Sequence, residues 1–153
     1  MALAPEQYLL EHWKFNADQR LKTFNFFVAF SVFADGGVFA AIDRCAHPMV
    51  LMLLGGFIVV LAVVFALVDA RCRALLHLSK EGLMHFEQGL QGHYRLFEKD
   101  RAISHPVVRL TVAFNTLFVH QGLFGMGVLI FGLLVSGVID HGWGLEAMRL
   151  RCR

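Results

Sequence analysis

The chain reads as an all-α integral membrane protein with about three transmembrane helices, an N-terminal pre-membrane helix and a cytoplasmic amphipathic helical segment. Three observations predict this class. Hydrophobic residues make up 57% of the 153 and charged residues only 17%, whereas soluble domains hold roughly 45–50% apolar residues on a comparable count. Those apolar residues gather in three blocks separated by charged stretches. The Lys and Arg residues concentrate between the second and third blocks, as expected of a cytoplasmic segment.

The block at 48–68, PMVLMLLGGFIVVLAVVFALV, carries no charge. It has the length of helix, about 20 residues, that crosses a hydrocarbon core of ~30 Å. A soluble helix that is apolar all round would need a far larger protein to cover it. The first span, at 23–42, is rich in phenylalanine (Phe24, Phe26, Phe27, Phe30, Phe33 and Phe39) but carries Asp35, with Ser31 one turn earlier and Gly36 and Gly37 following. An unpaired carboxylate at the bilayer centre costs about 2.5–3.5 kcal/mol on insertion scales. Two placements are therefore open: Asp35 hydrated near the outer interface, or facing a bundle interior or aqueous pore. The third block, 107–139, is long for one straight span and short for two, and Asn115, His120 and Gln121 punctuate its first half. It forms either one tilted helix or a re-entrant piece up to Gln121 followed by a short span. A break at Gln121 and Gly122 needs protein or water around it, because backbone groups in lipid must bond internally.

Orientation follows from the cations. Arg71, Arg73, Lys80, Arg95, Lys99, Arg101 and Arg109 lie between the second and third spans, against Arg44 alone between the first two. The positive-inside rule puts 69–106 in the cytoplasm, and with it the N-terminal segment carrying Lys14, Arg20 and Lys22. Three spans then leave the tail at 140–153 outside, with Arg149, Arg151 and Arg153 against the rule; a re-entrant third block brings the tail inside. The expected location is the bacterial inner membrane, multi-pass, with the N-terminus cytoplasmic. Glu6 and Glu11 stand where a signal peptide carries its basic n-region, so no cleaved leader is expected. Cys45, Cys72 and Cys152 fit no paired motif and read as incidental thiols.

Residues 1–22 form an amphipathic helix entering the first span, with Tyr8, Leu9, His12 and Trp13 as its apolar stripe opposite Glu11, Lys14 and Asp18. Beyond the second span, Leu76, Leu83, Leu90 and Phe97 recur every seven residues, a period that favours helix against helix. Gly82, Gly89 and Gly92 each weaken that helix by roughly 1 kcal/mol relative to alanine. His105 and Pro106 break the segment before the third block.

No pattern for catalysis, cofactor or metal stands out. His77, His85 and His93 recur every eight residues, and each step rotates them by roughly 80° on a helix, so they do not converge on one ion. Arg71 and His77 match a loose R-x5-H spacing found in one class of ribonucleases, which leaves a membrane nuclease as a distant third reading. Phosphate-binding glycine loops and a Ser–His–Asp set are absent from the pattern. Candidate pore or helix-packing residues are Ser31, Asp35, Gly132 and Ser136; the last two form a small-xxx-small pair of the kind that lets helices approach in lipid. Arg95, Lys99 and Arg101 form a candidate partner surface.

The run from Glu11 to Asn25 (EHWKFNADQRLKTFN), the phenylalanine-rich span after it and the VDARCR stretch from Val68 to Arg73 resemble small bacterial membrane proteins. The chain is similar over about 11–87 to the two-span effectors of phage-defence systems, retrons among them; its third block fits that pattern less well. The resemblance implies an effector that oligomerises in the inner membrane and perturbs it when a separate cytoplasmic sensor detects infection. It brings no catalytic residues. The leading expectation is thus a homo-oligomeric membrane effector or pore, with membrane lipid and further copies as partners and no direct nucleic-acid binding. The alternative is a non-conducting anchor or scaffold that recruits a cytoplasmic partner through its basic segment.

Overall fold

The structure, a computed structural model, describes residues 4–89, 95, 97, 99 and 110–136. Its class is all-α. Helix α1 spans Pro5–Asp43, α2 spans Pro48–Glu87 and α3 spans Leu110–Ser136, and no strand occurs among the described residues. All three are long and apolar enough to cross a membrane. The two N-terminal segments distinguished by composition, 1–22 and 23–42, join in one helix from Pro5 onward. The second span likewise continues into the charged stretch as far as Glu87. Of the two forms open to the third block, the structure has the unbroken one, a helix continuous through Gln121 and Gly122.

Local chemistry sets the helix limits. Pro5 stands first in α1 and Pro48 first in α2, where the missing N–H costs nothing and the fixed φ suits the first turn. At the end of α1, the Ala46 N–H donates to Ala41 and the Cys45 N–H to Ile42, at 2.8 and 3.1 Å. This is the paired closure of a Schellman cap. The position that turns left-handed, usually glycine, is here Cys45 at φ 49°. His47 then starts α2: its carbonyl accepts from Val50 at 2.8 Å, and its Nδ1 accepts from the Met49 N–H at 3.3 Å.

The cysteines correct one expectation. Cys45 is disulfide-bonded, its partner outside the described residues, while Cys72 is free and buried.

Packing divides the chain into two units, one within 1–25 and 66–114 and the other within 26–65 and 115–153. In the second unit, α1 presents Phe27, Ser31, Ala34, Val38 and Ala41 as its buried face, a 3-4 spacing that keeps one side of a helix toward its neighbours. Ala34, Val38 and Ala41 pack with Leu51, Ile58 and Val128 as one core. Phe27 is fully buried, edge-on to Phe118 at 4.6 Å and tilted against Phe65 at 5.5 Å. Glycine sets the α2–α3 contact. A Cβ on Gly55 would stand 2.5 Å from the Leu129 nitrogen and 2.8 Å from the Gly125 oxygen, and one on Gly125 would stand 2.7 Å from Ile58. Gly132 lies equally close to Met52.

What remains outside is apolar. In the most hydrophobic stretches of α1, α2 and α3 only 28%, 28% and 22% of residues are buried, and Phe33, Phe39, Leu53, Val60, Leu67 and Leu123 are all exposed. A continuous apolar exterior of this kind on helices of spanning length needs hydrocarbon as its solvent.

Candidate functional site

Within the second unit, α1 and α3 share a polar contact among apolar side chains. The Gln121 Nε2 donates to the Asp35 Oδ1 at 2.7 Å. Asp35 is half-buried, and Ser31 sits one turn before it on the buried face. The Ser31 hydroxyl has no hydrogen-bond partner among the described residues. Of the sequence-selected candidates, Ser31 and Asp35 thus belong to one seam, and Gln121, known from the sequence only as an interruption, completes it. Leaving a buried hydroxyl unmatched costs about 1–3 kcal/mol. Ser31→Ala is therefore expected to leave the fold intact and raise its stability by up to about 1 kcal/mol, read from unfolding in mixed micelles. A loss above that size would mean that the hydroxyl does have a partner.

Gly132 and Ser136 are not part of this seam. Gly132 is buried against Met52 and Pro48 of α2, so its small size serves packing within the chain. Ser136 is exposed and donates to the Leu133 carbonyl at 2.7 Å.

The first unit holds a charged cluster that sequence reasoning did not single out. Asp69, 3% exposed, lies between two arginines: Arg20 Nε donates to Oδ1 at 2.6 Å, and Arg73 Nε faces Oδ2 at 3.0 Å. The Arg73 contact lacks hydrogen-bond alignment and is one of charge alone. Arg20 also donates from Nη2 to Thr111 at 3.3 Å and lies 5.0 Å over the Phe114 ring, which stacks on Phe24. Two signals in the sequence pointed here: Asp69 is the acid that ends the second apolar run, and Arg73 follows it by one helical turn. The partnership with Arg20, 49 residues away, carries no such local mark.

Roughly two to three turns further from the apolar runs, the His12 Nδ1 meets the Ser79 Oγ at 2.6 Å, with Asn16 beside it. The pair resembles an activated serine, but its direction is wrong for one. The Leu75 carbonyl can only accept, so the Ser79 hydroxyl donates there at 3.0 Å and receives the imidazole N–H. Ser79 is 2% exposed and acts as a buried link between α1 and α2. Arg71 and His77 are both exposed; six residues apart, they point roughly 120° away from each other around the helix. His77 instead faces Glu81 at 3.4 Å. Among the described residues no group of three or more His, Cys, Asp or Glu could hold a metal ion.

Burial pushes the Cys72 thiol above its ordinary range, and the neighbouring Asp69 carboxylate adds to this, against Arg20 and Arg71. Because the thiolate is the reacting form, Cys72 is expected to label with maleimide at pH 8 at least ten-fold more slowly in the folded protein than after denaturation. Equal rates would show that the site is open.

In the candidate partner surface, Arg95 donates to the Gln88 carbonyl at 3.0 Å. Lys99 is exposed, and Arg101 lies outside the described residues, as do Leu90, His93 and Pro106.

Fold and site together define a helical chain with the architecture of a multi-pass membrane protein, three helices of spanning length with a polar contact between two of them. Comparison with protein-family models, curated proteins and solved structures finds no match.

Proposed function

We propose that the chain is a homo-oligomeric inner-membrane effector that perturbs the membrane when its copies assemble. The observation that carries this reading is the Asp35–Gln121 bond between two membrane-spanning helices. Ionisable residues inside spans are rare, and they mark pathways for ions, protons or substrates where they occur. Ser31 extends the same polar seam along α1. In one copy the seam is closed by Gln121; in an assembly, exchange of that partner for water or for a second copy would open a route. Control by a separate cytoplasmic sensor, as the resemblance to phage-defence effectors implies, belongs to the same reading.

The orientation in this proposal has the N-terminus and the charged end of α2 in the cytoplasm, from the distribution of Lys and Arg. A disulfide at Cys45 supports it, since such bonds persist in oxidising compartments such as the bacterial periplasm and are rare in the cytosol. The free Cys72 falls on the reducing side.

Dye release from liposomes containing the purified protein tests the proposal. Wild type is expected to release dye once oligomers form, and Asp35→Leu to reduce release at least ten-fold at equal incorporation. Intact liposomes carrying an assembled wild-type oligomer would refute it.

The scaffold reading also has an observation behind it: α2 continues to Glu87, 19 residues beyond Val68, or roughly 28 Å of helix outside the apolar run. Under that reading, charge reversal at Arg95 and Lys99 abolishes capture of a cytoplasmic partner while membrane insertion is unchanged.

A further inference from the structure

The first unit contains an open cavity of about 750 Å³ whose wall includes Trp13, Arg20, Arg73, His77, Lys80 and Phe97. Its composition is divided. Arg20, Arg73 and Lys80 supply cations, while Trp13 and Phe97, edge to face at 5.5 Å, form an apolar side. Two guanidinium groups share the single Asp69 carboxylate, so the ion-pair cluster in the wall keeps one positive charge in excess. The carboxylate oxygen toward Arg73 is not joined to it by an aligned hydrogen bond, and the Arg73 side chain is one-third exposed. Arginine presents a planar fork of donors that matches phosphate oxygens.

The level of the cavity is the second observation. Arg20 precedes the first apolar run by three residues, Arg73 follows the second by five, and Thr111 stands second in α3. Each is placed within about two turns of where hydrocarbon ends, the depth of lipid headgroups. Basic pockets between spanning helices on the cytoplasmic side are suited to anionic lipid heads.

We propose that this cavity binds a phosphate ester, with the headgroup of an anionic phospholipid as its source. The inference depends on the membrane reading but not on whether assembled copies conduct.

The test uses the full chain in nanodiscs of phosphatidylcholine alone or with phosphatidylglycerol or cardiolipin. Lipid retained after extraction is measured by mass spectrometry, and melting is recorded for each sample. Wild type is expected to retain anionic lipid at least five-fold over phosphatidylcholine and to melt higher with it. Arg73→Gln and Lys80→Gln should each cut the preference at least about five-fold, through loss of a direct charge-assisted hydrogen bond to a phosphate oxygen. Arg71→Gln removes an equal charge from the exposed surface of α2 and should leave the preference unchanged. Melting in phosphatidylcholine alone establishes that each variant is folded, and Lys80→Gln carries the test if Arg73→Gln is not. A further arm adds inorganic phosphate or glycerol phosphate to the phosphatidylcholine discs. A rise in melting temperature there that Lys80→Gln removes would support the phosphate site and assign it to a soluble ester. The proposal is overturned if neither lipid nor phosphate is preferred, or if Arg71→Gln weakens binding as much as the cavity variants do.

Discussion

Asp69→Ala is expected to destabilise the protein by about 3 kcal/mol, enough to lose folded material during purification in detergent. Arg20 and Arg73 both face this carboxylate, which is 3% exposed. Removing it leaves two like charges together with nothing between them. Breaking a buried pair from one side costs about 3–5 kcal/mol; the lower end applies because Arg73 is one-third exposed and partly screened by water. The loss belongs to the arginines left behind rather than to the attraction removed, and that distinction can be measured. Replacing the whole cluster, with Asp69→Leu, Arg20→Met and Arg73→Leu together, should recover most of the stability, since apolar residues of similar volume substitute well for buried ion clusters. Thermal unfolding in one detergent compares the three proteins. If the single alanine variant melts with wild type, water reaches the cluster and the burial seen here is not maintained.

Gly55→Ala is expected to cost about 2–3 kcal/mol for the addition of one methyl group. The added carbon would meet the main chain of α3 at 2.5 and 2.8 Å, and a main chain in a helix cannot rotate aside as a side-chain tip can. The helices must separate, and contacts along the whole α2–α3 seam weaken with them. Gly36→Ala is the matched control, because a methyl group there meets nothing within 4 Å. Unfolding in mixed micelles should separate the two variants clearly. Equal stability would mean that the Gly55 crossing has slack that its geometry denies.

The contrast between Gly55 and Gly36 also shows how far the sequence could be read. Spans are legible because lipid imposes a composition on about 20 consecutive residues, and no tertiary detail alters that. Helix continuity was harder. Nothing at Lys22 or Val68 tells a helix to stop, yet the change from apolar to charged residues suggests a boundary, and the structure carries α1 and α2 straight through it. Glycine in a spanning helix is common enough that Gly36, Gly55, Gly125 and Gly127 look alike in sequence. Only the facing helix shows that Gly55 and Gly125 are crowded while Gly36 and Gly127 are open. The polar contacts follow the same rule. Asp35 drew notice because an acid in an apolar run is costly, but Gln121 is neutral and lies 86 residues away. Arg20 and Asp69 each sit at the end of an apolar run, where charge is ordinary, so their meeting was invisible.

The same 86-residue separation has a consequence for biogenesis. Ribosomes deliver roughly 5–20 residues per second, so Gln121 leaves the peptidyl-transferase centre about 4–17 s after Asp35 does. Throughout that interval the first hydrophobic segment presents its acid to the insertion machinery without the amide that later receives it. Until Gln121 arrives, the cost of the acid in hydrocarbon, about 2.5–3.5 kcal/mol, opposes lateral release of that segment into the bilayer. Chains truncated before Leu110 and full-length chains, each released from the ribosome, would differ in how firmly their first segment resists extraction by alkali.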